Sequence, residues 1–157
     1  MTLSLPIAPF ERDFVRMTTS GYQRFFAELK RRKVFKVAAV LALIIGAMAI
    51  FAGGQVLLGQ DPGYYVIDWL PIYNFTMGVL SALVAAPLIW RESRWALPAA
   101  VATLATHTTV MAVLRTAYGG VVAPDSIRAM TIRMVAWLVI LGLLLVQTRR
   151  DDRAVSA

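Results

Sequence analysis

The sequence predicts an all-α polytopic membrane protein: a four-transmembrane-helix antiparallel bundle preceded by an interfacial amphipathic N-terminal helix. Three observations lead there. The 157 residues are 59% hydrophobic and 16% charged, whereas a soluble domain is about a quarter charged. The charges are segregated, and between them lie four apolar stretches of about 20 residues, the length that crosses a hydrocarbon core. Lys and Arg are spread unequally over the segments that flank those stretches, as a fixed membrane orientation requires.

The first stretch runs from about Val37 to Leu58 and holds no charge. The second runs from about Trp69 to Trp90, the third from about Trp95 to Leu114. The fourth runs from about Ala129 to Gln147 and contains one charge, Arg133. Backbone polar groups in lipid must bond within their own segment, so each stretch is expected to be a helix. Gly59, Asp61, Pro62 and Gly63 break the chain after the first. Arg91, Glu92, Ser93 and Arg94 make a hairpin that suits only antiparallel neighbours. Gly119 and Gly120 close the third, and Asp125 or Ser126 is expected to cap the fourth. Pro71 and Pro98 sit in first turns, where proline costs little. Pro87 sits late in the second span and should kink it or end its regular hydrogen bonding. Trp69, Trp90 and Trp95 fall at expected interfaces, while Trp137 falls inside the fourth span.

Thirteen of the 16 basic residues lie before the first span, in the 91–94 hairpin or in the tail. The other three are Arg115, Arg128 and Arg133. The positive-inside rule then places both termini and the hairpin in the cytoplasm, in a multi-pass protein of the cell (inner) membrane. The expected organisation is a cytoplasmic or interfacial segment 1–33, a transmembrane domain 34–148 and a cytoplasmic tail 149–157. The first apolar run starts too late, and is too long, for a cleaved secretory signal, so it reads as an uncleaved signal-anchor.

Residues 1 to about 18 show no clear period and are expected to be poorly ordered. From Thr19 to Lys33 a surface helix is expected, capped by Thr19 or Ser20. Tyr22, Phe25, Phe26 and Leu29 share one face of it. Arg24, Lys30, Arg31, Arg32 and Lys33 are positioned to bind anionic lipids at the cytoplasmic surface. The net charge of +7 is therefore assigned to the membrane and not to nucleic acid. The stretch from Phe26 to Val40, with Glu-Leu-Lys-Arg-Arg ahead of a span, resembles the juxtamembrane leader of some bacterial single-span regulators. It is short and implies no function.

Small residues repeat every four at Ala38, Ala42 and Gly46, and again at Gly78, Ala82 and Ala86. In lipid such spacing lets helix backbones approach closely. The first three helices are expected to pack tightly, leaving much of the cytoplasmic half of the fourth to lipid or a partner protein.

Polar side chains at membrane depth are expensive and need a reason. A rise of about 1.5 Å per residue puts His107 near the midplane, and Asn74 and Arg133 about one turn below the outer edge. With Tyr73, Asp68 and Arg115 they form a candidate ligand-binding set in the outer half, drawn from three helices. The alternative is structural: Arg133 pairs with Asp68, His107 bonds a neighbour, and the threonines bond back to their own helix.

Several chemistries lack their residues. There is no cysteine and one histidine, which leaves no zinc ligand set and no bis-histidine haem within one chain. No span holds a deep carboxylate of the kind small proton-coupled carriers use. Nucleophile-elbow, Walker and dinucleotide-binding motifs are missing, and Ser81 with His107 is a weak candidate for intramembrane proteolysis. The expectation is a non-enzymatic membrane protein, an accessory or structural subunit of a larger assembly. The alternatives are a binder of quinone, lipid or haem in the outer-half pocket and an oligomeric channel or carrier. A membrane-protein partner or a homo-oligomer is expected; the cofactor, if any, is not specified by the residues.

Overall fold

A computed structural model describes residues 9–155, with the side chains of Tyr22 and of 28–149. The chain divides into two compact units, Met1–Lys33 and Val34–Ala157.

In the first unit the described backbone is helical from Pro9 onward. The chain is thus already helical ten residues before the expected Thr19 or Ser20 cap. The Lys and Arg of this stretch are good helix formers. No Gly-Pro break separates this stretch from the apolar run, so α1 extends over Pro9–Leu57. Tyr22 and Leu29 are exposed; the side chains of Arg24, Phe25 and Phe26 lie outside the described residues. Arg32 donates to Glu28 at 2.9 Å, one turn back on the surface, a pair worth about 0.3–0.5 kcal/mol.

In the second unit the described elements are all helices. α2 is Leu70–Trp90, α3 is Ala96–Thr116 and α4 is Pro124–Val155. With Glu28–Leu57 of α1, four helices are long and apolar enough to cross a membrane, as the sequence predicts. α4 starts at Pro124, so Asp125 and Ser126 lie inside its first turn instead of capping it. The hairpin after α2 is tight enough to hold Glu92 at φ 53°. In the longer connection, Gly59 and Gly63 take φ of 86° and 80°.

Each helix turns one stripe inward. In α4 the buried residues are Met130, Arg133, Trp137, Ile140, Leu144 and Gln147, spaced by threes and fours in the manner of a coiled-coil seam. In α3 they are Ala96, Ala100, Thr103, His107, Met111 and Leu114. The core has two parts. Near the hairpin, Trp137, Ile140 and Leu144 pack among the alanines Ala38, Ala42, Ala85, Ala86, Ala96 and Ala100. Near the opposite end, Met130, Leu114 and Met111 pack with Ile67 and Leu70.

This arrangement refines one expectation. The second half of α4 turns one stripe inward as well, and its largest side chain, Trp137, is 0% exposed. The alanines of the other three helices leave the space that Trp137 fills. Its outward residues, among them Leu138, Val139 and Val146, are exposed as expected.

α1 and α2 approach at their glycines. A Cβ on Gly46 would lie 2.7 Å from the Ala82 backbone nitrogen, and one on Gly78 would lie 2.6 Å from that of Ile50. Only hydrogen fits at such separations. Farther along α2, regular α-helical bonding gives way to a π-helical stretch, Leu80–Ala85. The Ala86 N–H donates to the Ser81 carbonyl, five residues back. Pro87 explains the position: its ring has no N–H and crowds the carbonyl four residues back, so the preceding turn widens.

Candidate functional site

α2 begins at Leu70, with Pro71 in its first turn, and this fixes the directions of Tyr73 and Asn74 three and four positions later. α3 brings His107 inward from the middle of its buried stripe, and α4 does the same with Arg133. The result is two cross-helix hydrogen bonds. The Tyr73 hydroxyl bonds Nδ1 of His107. With the phenol as donor, the imidazole is neutral and carries its proton on Nε2. The Arg133 guanidinium donates to Oδ1 of Asn74.

Aromatic rings extend the first pair towards the end of the bundle. Tyr73 meets His107 edge-on, with centroids 5.9 Å apart at 82°. Trp69 meets Tyr73 at 6.2 Å and 73°. The Trp69 indole N–H donates to the Tyr118 hydroxyl at 3.3 Å. Edge-to-face pairs of this kind contribute about 0.5–1.5 kcal/mol each beyond area burial. Tyr118 and Trp69 were not among the candidate residues. The available signal was their place: each is an aromatic within a turn of a span end, where a ring can bury its body and still bond its polar tip.

The six candidates divide. Tyr73, Asn74, His107 and Arg133 come together, with His107 2% and Arg133 8% exposed. Asp68 and Arg115 are exposed and stay outside the cluster. The Arg133–Asp68 ion pair of the structural alternative does not form; a neutral amide takes the carboxylate's place. The threonines behave as the structural alternative anticipates. Thr103, Thr106, Thr108, Thr109 and Thr116 each donate to the carbonyl four residues back.

A cleft of about 60 Å³ adjoins Asn74 and Arg133, lined also by Tyr64 and Ser126. That is room for a few waters and well short of the roughly 300 Å³ at which small-molecule pockets begin. Neither a quinone headgroup with its tail nor a haem fits it. A larger, apolar groove of about 300 Å³ lies near the hairpin, between Ala39 and Leu43 of α1 and Ala86 and Trp90 of α2. It holds none of the candidate residues. Among the described residues no three His, Asp or Glu side chains gather as a metal ion would require.

The Tyr73–His107 bond is expected to contribute modestly. A double-mutant cycle with Tyr73→Phe and His107→Leu, read by unfolding in denaturing detergent, should return a coupling of about 0.6 kcal/mol and no more than about 1.7. A larger coupling would mean the pair does more than join two helices.

Comparison with protein-family models, with curated proteins and with solved structures finds no match to this chain.

Proposed function

We propose that this four-helix protein is a non-enzymatic accessory or structural subunit of an inner-membrane assembly, with both termini cytoplasmic, and that it acts through contacts in the plane of the membrane. The outward face of α3 is the observation that supports this. Ala102, Ala105, Thr109, Ala112 and Thr116 are all exposed and follow one another at spacings of three and four. The hydroxyls of Thr109 and Thr116 are bonded back to Ala105 and Ala112, so the stripe is small and effectively apolar. Elsewhere the exposed faces carry bulk: Leu43, Ile44, Met48 and Phe51 on α1, Leu83 and Val84 on α2, Val135 and Leu138 on α4.

Lipid tails do not distinguish small side chains from large ones, but a neighbouring helix does. Without a hydrophobic drive between spans, association depends on close backbone approach, which small residues at this spacing allow. The occupant we assign to this face is a transmembrane helix of another polypeptide.

The chain has no cysteine, so a single introduced thiol is unique. Thr109→Cys should cross-link to a partner polypeptide in native membranes, and Leu138→Cys on α4 should not. Adding Ala105→Leu and Ala112→Leu to Thr109→Cys should abolish the cross-link and leave the fold intact, since both positions face outward. Equal cross-linking from the two faces, or none from Thr109→Cys, would sink the reading. A product of twice the chain mass would replace the partner by a second copy.

A further inference from the structure

We propose that the cleft beside Arg133 binds a small oxyanion, a single phosphate-sized group, in the outer half of the bundle. Arg133 is a buried cation, 8% exposed, without a counter-charge among the described residues. Its hydrogen-bond partner is the neutral Asn74 amide. Among the described residues no carboxylate pairs with it: Asp125 goes with Arg128 and Glu28 with Arg32. A guanidinium withdrawn from water in this way is costly unless charge and hydrogen bonds compensate it.

The cleft supplies what an anion needs. A guanidinium has five N–H donors, and the Asn74 bond engages one side of it. The cleft of about 60 Å³ is lined by Arg133, Asn74, Ser126 and Tyr64 among apolar residues, and each of these four side chains carries a group able to donate to an oxyanion. Ser126 lies in the first turn of α4, where the helix dipole favours negative charge. Arg is suited to phosphate because its planar fork matches two oxygens at once. The space admits one such group and excludes a bulky organic anion. The phosphate has two sources, a free inorganic ion or the headgroup of a lipid whose tails stay outside the bundle.

The test uses the full-length protein in a phosphate-free, uncharged detergent, with thermal unfolding as readout. Inorganic phosphate, at ionic strength matched with chloride, should raise the unfolding temperature and saturate. If phosphatidylglycerol does so and inorganic phosphate does not, the bound group is the headgroup. Asn74→Asp is the decisive variant, because it gives Arg133 a carboxylate partner of nearly the same shape. It should fold at least as stably as the parent and bind the anion about tenfold more weakly or worse, as loss of a charge-assisted hydrogen bond implies. Arg133→Gln should lose the response as well. If the parent responds to neither phosphate nor phosphatidylglycerol, the cleft holds water and the proposal fails. It fails equally if Asn74→Asp responds as the parent does.

Discussion

Trp137→Ala should cost the bundle about 3–5 kcal/mol, the range for deleting a fully buried aromatic. The reason lies in what surrounds it. Trp137 is 0% exposed, and its neighbours are mostly alanines from the other three helices. Alanines have no side-chain length with which to move into the vacated space, so the cavity should stay nearly full size. The companion Trp137→Phe should separate volume from polarity. Among the described residues the indole nitrogen is the one buried side-chain polar atom without a hydrogen-bond partner, and an unpaired buried donor costs about 1–3 kcal/mol. Phenylalanine removes that burden along with some volume, so its net loss should be small, under about 1 kcal/mol. Denaturing-detergent titration of the two variants checks both. A loss for alanine no greater than for phenylalanine would show that the inner core collapses around the gap.

Gly78→Ala sets two effects of opposite sign against each other. Alanine is a better helix former than glycine by about 1 kcal/mol, which on an isolated helix would stabilise. Here the new methyl would stand 2.6 Å from the Ile50 nitrogen and 2.8 Å from the Gly46 carbonyl oxygen. Both are backbone atoms of a packed helix and cannot rotate away. The two helices must separate, and overpacking of this sort costs about 1–3 kcal/mol. A net loss is therefore expected for Gly78→Ala, with Gly46→Ala alike. Gly142→Ala is the control, since nothing lies within 4 Å of it and only the propensity gain remains. If Gly78→Ala were as stable as Gly142→Ala, α1 and α2 would have to lie farther apart than the structure places them.

The fold was largely legible because its signals are local. Twenty apolar residues between Gly, Pro and Arg punctuation make a helix wherever lipid surrounds them, and all four appear within a few residues of their expected ends except at the start of α1 and at both ends of α4, which runs from Pro124 to Val155. α1 began early because nothing between Pro9 and Val37 stops a helix. α4 began early because Pro124 serves as a first-turn residue. Gly46 and Gly78 were marked by their spacing, although which glycine meets which depends on the crossing of two helices. The site was legible in membership more than in pairing. A polar residue at depth announces itself, so Tyr73, Asn74, His107 and Arg133 stood out. Charge complementarity suggested Asp68 as the partner of Arg133; helix rotation gave it Asn74. Tyr118 and Trp69 were hidden because aromatics near a span end have an ordinary reason to be there. Trp137 was visible as misplaced, yet its destination depended on alanines scattered over three other segments.

The small residues in and around the π-helical turn of α2 divide that helix between two neighbours. Two columns of small residues lie side by side there at the ordinary i, i+3, i+4 spacing of a helix face, for Ser81 and Ala82 are both buried, and so are Ala85 and Ala86. One column continues the line of Gly78 along α1, where Ala82 meets Gly46. The other turns into the core that Trp137 occupies, where Ala85 and Ile89 lie. α2 is thus a shared wall, closed to large side chains at adjacent doublets, and one helix serves two fronts.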